Sequence, residues 1–351
     1  MSDPATTGGP FVTTVIGSMP KRPWLFTPTR LEDGFLDLFA EAGRWSLDGA
    51  HLHGAQDDVT RISIREQERA GIDIVADGEQ RRKNYVIHVT AAMGGFDYNE
   101  FETRTIRAGR TTARVGRCIG PIEHKGPILV DDLKFLMAET DHPVRVTLPG
   151  PMTVCDSTAD VYYQDDKAMA FAWADAINKE ARLLDALGPA VIQFDEPVFS
   201  RYPERTEAYG IEALDRCVAG LRATTCVHIC YGYPQPGKPR PVRDTYPDLI
   251  AMLEGSKVDQ LALEFEGPGL DPKVLSKCPS KTVLFGCVFN SDETEETAEH
   301  VARRLLAAAE VLGPEKIQAA PDCGLVMMSP ERAVEKLTIM VEGAKLARAR
   351  V

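Results

Sequence analysis

Short apolar runs rich in β-branched residues recur along the chain at positions 11–16, 72–76, 144–148, 191–194, 225–229, 260–263, 282–285 and 316–320. They are near-continuous rather than alternating, the pattern of parallel strands covered on both faces. Most lead through a loop into a stretch with apolar residues at helical spacing, clearest over 166–187, 211–221, 296–312 and 330–347. Gly188 suits the C-terminal end of the first of these helices. Ser291 or Thr294 suits the start of the third, and Ser329 followed by Pro330 the start of the fourth. Eight such units predict an α/β chain closed into a (β/α)8 TIM barrel. An open doubly wound sheet shares the alternation, but the first turn, IGSMPKRP, lacks the G-x-G-x-x-G fingerprint of its dinucleotide-binding form.

One segment breaks the rhythm. Residues 100–130, containing TRTIRAGRTTARVGRCIGPI, predict extended strands and turns, a β-rich hairpin inserted after the second barrel strand. Residues 1–10 are rich in Gly, Thr and Pro and are expected to form a loose arm. No internal repeat, low-complexity tract or linker composition divides the chain, so residues 1–351 are expected to form a single barrel domain.

Composition narrows the function. Hydrophobic residues at 44% and charged residues at 26% match a soluble protein with a substantial core. No apolar run is long enough to cross a membrane, and the start, MSDPATTGGPFVTT, has no leader pattern, so a cytoplasmic enzyme is expected. A net charge of -12 argues against nucleic-acid binding. Eight cysteines in a chain of this length do not make a disulfide framework. Cys118, Cys155, Cys217, Cys226, Cys278 and Cys287 are expected to be buried thiols, whereas Cys230 and Cys323 stand beside other chemistry.

Barrel enzymes place their chemistry at the C-terminal ends of the strands. Here those ends carry Gly17-Ser18, Asp77-Gly78-Glu79, Asp195-Glu196, His228-Ile229-Cys230, Glu264 and Asp322-Cys323-Gly324. Residues two apart on a strand face the same side, so His228 and Cys230 can reach one ion. Either the pair is a buried Cys beside a hydrogen-bonded His, or Glu264 and Cys323, after separate strands, complete with it a tetrahedral zinc set of nitrogen, sulfur and oxygen ligands. Two thiolates and a carboxylate leave Zn2+ a poor generator of hydroxide but a good holder of an added thiolate, which points to alkylation of a thiol. The acidic groups at strand ends either cap helices and pair with arginines, or bind an amino group. Arg81 and Arg82 either clamp a carboxylate or sulfonate, or begin a charged helix. Ser18 either presents its hydroxyl to a substrate carboxylate or marks a simple turn. His51 and His53 share the His-x-Cys spacing but lie in a Gly-rich stretch with no thiol, which predicts a surface or loop position.

Together IGSMP, DGEQRR-x-x-Y, LPGPMT, IQFDEP, VHICYGY, LALEFE and APDCG resemble the catalytic barrel of cobalamin-independent methionine synthase, from about position 12 to 323. The resemblance implies a (β/α)8 barrel with zinc on His228, Cys230, Glu264 and Cys323. It implies homocysteine contacts at Ile16, Ser18, Glu79 and Asp195, the two acids on the ammonium and the Ile16–Ser18 segment on the carboxylate. Full-length members carry an additional N-terminal barrel that helps bind folate, and this sequence is similar to the short, single-barrel members. The implied activity is methyl transfer to homocysteine, from methyl-folate, methylcobalamin or a corrinoid protein. A related possibility is epoxyalkane:coenzyme M transferase, in which a zinc-bound thiolate opens an epoxide. A reading of another class is a non-catalytic corrinoid- or folate-binding barrel.

Overall fold

The computed structural model describes residues 9–29, 43–109, 111–232, 244–291 and 294–351. Most of the expected N-terminal arm, residues 1–8, lies outside them.

Six parallel strands pair in chain order: Arg145–Pro149, Val191–Asp195, Thr224–Ile229, Gln260–Leu263, Thr282–Val288 and Ile317–Pro321. Three parallel bridges close the ring: Thr13 to Ala319, Thr14 to Ile74, and Val75 to Val144. All eight expected runs therefore become staves of a TIM barrel, but the first two are reduced to bridges. One reason lies in side-chain competition for the backbone. Asp73 accepts the Thr13 N–H at 2.8 Å through its carboxylate, taking a donor that a longer ladder would use. Phe11, at φ 53, turns the chain out of the extended conformation at the start of the first run.

The helices follow local signals in part. Asp165 caps the helix Asp166–Asp185 by accepting from Lys167 and Ala168, and Gly188 beyond its end has φ 79. Ser329 caps Pro330–Arg348 as expected. The helix Ala298–Leu312 starts later than expected and is capped by Thr297, not by Ser291 or Thr294. Thr294 is engaged elsewhere, donating to Glu296 at 3.1 Å and accepting from Lys336 at 2.9 Å. His51 and His53 are on the surface, but in the first turns of the helix Gly49–Ala70 rather than in a loop.

The insertion is an antiparallel hairpin of Gly94–Ile106 and Thr111–Glu123, so it begins and ends earlier than residues 100–130. Its early start has a packing cause. Phe96 meets Trp173 edge-on at 5.7 Å, and Gly95, at φ 92, admits the Pro121 carbonyl of the facing strand where a side chain would collide.

Inside the barrel, side chains of alternate residues form layers. Ile16, Val191, Cys226, Ala262, Leu284 and Ala320 make an apolar plug, separate from the large core between strands and helices. Two residues further along the same strands, the inward positions become polar. Asp195 and His228 sit side by side in register, and Cys230 and Glu264 lie one inward step beyond His228 and Ala262.

Candidate metal centre and substrate pocket

The donor atoms of His228, Cys230 and Cys323 all lie within 4.8 Å of one another, and all three residues are buried. Two come from one strand end through their two-residue spacing. The third comes from the turn after Ile317–Pro321, three strands further round the barrel. Neither ring nitrogen of His228 makes a well-aligned hydrogen bond among the described residues, although the Cys230 sulfur and the Ala262 backbone lie beside the ring. A buried polar atom without a well-aligned partner costs about 1–3 kcal/mol, and a bound cation would offset that for the one ring nitrogen it meets. A hydrogen bond from Cys323, with the His228 ring close by, holds the Cys230 thiol well below its ordinary pKa. Burial opposes protonation of His228, but the Cys230 sulfur outweighs it and raises the imidazole. This group can hold a soft divalent ion.

Glu264 is fully buried just beyond the strand Gln260–Leu263, on the same inward parity as Gln260 and Ala262. Its carboxylate is not in the 4.8 Å group, so three of the four expected ligands converge and the fourth stands on a neighbouring strand end. Its surroundings are firmly held. The Glu264 N–H donates to the Tyr246 hydroxyl at 3.2 Å, and that hydroxyl donates to the Ile229 carbonyl at 2.6 Å. Asp322 accepts from the N–H groups of Phe265 at 2.9 Å, Glu266 at 3.0 Å and Gly267 at 2.5 Å. The residue preceding Cys323 thus ties down the turn that follows Glu264.

A pocket of about 440 Å³ opens over the cluster, and Ile16, Ser18, Glu79 and Asp195 all line it. Glu79 reaches it from a turn in which both Gly78, at φ 64, and Glu79, at φ 55, are left-handed. The Glu79 N–H donates to Asp77 at 2.9 Å, Lys21 donates to the Glu79 carbonyl at 2.8 Å, and the Thr147 hydroxyl donates to its carboxylate at 2.8 Å. A non-glycine residue in this region costs roughly 1 kcal/mol or more, which these bonds offset. Asp195 accepts from Gln193 at 2.7 Å, and burial pushes its carboxyl up to about 7, with His228 pulling the other way.

The two arginines, Arg81 and Arg82, lie outside the pocket. Arg81 is paired with Asp57 and, at 2.7 Å, with Asp132, its guanidinium 4.3 Å from the Phe135 ring centre. Arg82 is buried behind Glu79, donating to the Thr147 carbonyl at 2.9 Å and lying 3.6 Å from the Glu79 carboxylate. Two adjacent carboxylates close by, Asp77 and Glu79, explain why Arg82 faces inward rather than to a ligand. Glu196 also serves structure, accepting from the Met152 and Thr153 N–H groups at 2.8 and 2.9 Å at the start of the helix Pro151–Asp156. The six remaining cysteines are free and buried, as expected.

Three pocket or support residues escaped sequence reasoning. Tyr85, the last residue of DGEQRR-x-x-Y, lines the pocket, and its signal was the motif itself. Gln193, two residues before Asp195, carried the inward parity of its strand. Arg107 lines the pocket from the far end of the hairpin, and no local pattern announced it.

With this geometry in place, the relatives become informative. The sequence pattern of the family described as cobalamin-independent synthase, catalytic domain, matches residues 11–346. The chain belongs to that family. A methionine synthase of Saccharolobus solfataricus is 31% identical over 96% of this chain and 94% of its own length. One from Thermococcus kodakarensis is 30% identical over 96% and 93%. Among solved structures, a B12-independent methionine synthase from Shewanella sp. W3-18-1, in complex with selenomethionine, superposes with a TM-score of 0.89 at 32% identity. That likeness covers 97% of this chain and 99% of the other. Relatives in the cobalamin-independent synthase family thus match the barrel over nearly its whole length.

Proposed function

We propose that this single-domain barrel is a zinc-dependent methyltransferase that methylates homocysteine to methionine. The observation that carries the reading is the buried His228–Cys230–Cys323 cluster at the floor of a pocket lined by two carboxylates. Membership of the cobalamin-independent synthase family and near full-length likeness to methionine synthases support it. No helix among the described residues is long and apolar enough to cross a membrane.

His228, Cys230 and Cys323 would hold the zinc, with Glu264 as the fourth ligand from the neighbouring strand end. Bound there, zinc lowers the pKa of an added thiol, removing the cost of deprotonating a group whose ordinary pKa is about 8.5. The protein's residues orient the rest of the amino acid. Glu79 and Asp195 line one pocket and suit an ammonium group, as two carboxylates facing one cation. The segment Ile16-Gly17-Ser18 offers a hydroxyl and backbone to the substrate carboxylate. Gly17 keeps this approach open, since a Cβ there would come 3.1 Å from the Glu79 carboxylate, tighter than ordinary contact. Fixing the ammonium and carboxylate on the α-carbon directs the side-chain sulfur toward the metal cluster, and alignment with the donor methyl supplies much of the rate.

The test pairs metal analysis with turnover. Purified enzyme is expected to contain one zinc per chain and to form methionine from homocysteine and a methyl donor. Cys323→Ser is expected to lose zinc and turnover while keeping the circular dichroism spectrum of the barrel. A zinc-free but fully active enzyme would refute the proposal.

A further inference from the structure

Two cavities meet at one cation. Tyr85, Arg107 and Pro197 line both the main pocket and an adjoining cavity of about 240 Å³ that continues beneath the hairpin past Asp156 and Arg201. The barrel side of the main pocket holds two thiols, two carboxylates and His228. Arg107 is the one arginine or lysine among the described residues lining it.

Its placement is built rather than incidental. Arg107 and Ala108 are both left-handed, at φ 56 and 55, a conformation unfavourable for side chains other than glycine and therefore held from outside. The Arg107 N–H donates to Asp156 at 2.9 Å, and Arg201 donates to the Arg107 carbonyl at 3.4 Å. The Ala108 N–H donates to the Tyr202 hydroxyl at 2.8 Å, which in turn donates to Asp156 at 3.1 Å. The hairpin tip is thereby fastened to the barrel through Asp156, Arg201 and Tyr202, with Arg107 at the junction of the two cavities.

We infer that Arg107 is a specificity residue for the second substrate, binding an anionic group of the methyl donor where it enters from the cavity beneath the hairpin. This rests on the proposed methyl transfer. In an in-line displacement the sulfur, the methyl carbon and the leaving group align, so the donor would have to reach the sulfur from the side of the pocket not taken by the residues that hold the thiol. The amino-acid contacts and the metal cluster occupy the barrel side, so the donor meets the Tyr85–Arg107–Pro197 side. A guanidinium there recognises a carboxylate or phosphate through charge-assisted, bidentate bonds. Tyr85 adds a flat face beside it. The Asp156–Tyr202 fastening makes Asp156 a positioning residue for the same function.

Two donors separate the possible anions: methyltetrahydrofolate, which carries carboxylates, and methylcobalamin, which carries a phosphodiester. Steady-state KM for each donor and for homocysteine, and donor affinity by titration calorimetry, are measured on the zinc enzyme and on Arg107→Gln, Arg107→Lys and Asp156→Ala. Loss of a charged hydrogen bond of this kind weakens binding by about 10-fold or more. Arg107→Gln is expected to raise KM and Kd for one donor by that factor, with the homocysteine KM within about twofold and partial recovery in Arg107→Lys. Asp156→Ala is expected to shift the same donor in the same direction by a smaller factor. An unchanged donor affinity in Arg107→Gln, or a shift confined to homocysteine, would overturn the inference. Absence of methyl transfer by the unmodified enzyme would instead overturn the functional proposal, and the calorimetric comparison would still decide the role of Arg107.

Discussion

Gln193 donates to the Asp195 carboxylate at 2.7 Å and, with the same nitrogen, to the Ile16 carbonyl at 2.6 Å. Its amide oxygen accepts from Arg145 at 2.5 Å, which fixes which end of the amide faces the barrel mouth. One side chain thus links the acid proposed to hold the substrate ammonium to the segment proposed to hold its carboxylate.

Gln193→Glu keeps an acceptor for Arg145 but sets a carboxylate beside Asp195. The expected outcome is a rise of about 10-fold in the homocysteine KM, the scale of a lost hydrogen bond to a charged group plus like-charge repulsion. Zinc content should stay at the unmodified level. Steady-state kinetics with metal analysis checks this, and an unchanged KM would remove Gln193 from the substrate network.

Glu196 predicts a pH effect on stability. Burial raises its carboxyl to about 8, against the pull of its bonds from Thr153 and Met152. The folded state therefore holds a proton that the unfolded chain has already released above its ordinary carboxylate pKa, so this group's contribution to stability falls as pH rises from about 4.5 to 8. Glu196→Gln cannot titrate. Its stability deficit relative to the unmodified protein should shrink across that window, measured by denaturant unfolding at several pH values. A constant deficit would show that the carboxyl is ionised throughout.

Gly286 predicts a coupling between packing and the metal centre. A side chain there would strike the Asp322 carboxylate and come within 2.8 Å of the Leu263 carbonyl. Gly286→Ala should destabilise by about 1–3 kcal/mol, typical of overpacking. Displacing Asp322 also frees the N–H groups after Glu264, so weakened zinc retention against a chelator should accompany the loss. Lower stability with unchanged metal retention would show that the Asp322 anchor does not govern the ligand geometry.

The eight apolar runs, read alone, were enough to reach the barrel, because strands buried on both faces must be nearly continuous in hydrophobic residues. The His228-x-Cys230 pair was also legible, since a two-residue spacing fixes a shared side. So were Glu264 and Cys323 as candidates, each lying just past a strand, where barrel chemistry gathers. Arg81 and Arg82 show the limit of such reading. Sequence revealed two cations near an acidic turn, but only packing determined that Asp57, Asp132, Asp77 and Glu79 would engage them.

What the sequence determined by itself was the fold class and which residue types could share one ion, because both follow from periodicity within single strands. What only the tertiary structure decided was the distance relations between strands. It brought Cys323 to Cys230, left Glu264 outside the 4.8 Å group, and carried Arg107 from a hairpin tip to the pocket. Those relations depend on contacts between residues far apart in the chain, and local pattern contains no measure of them.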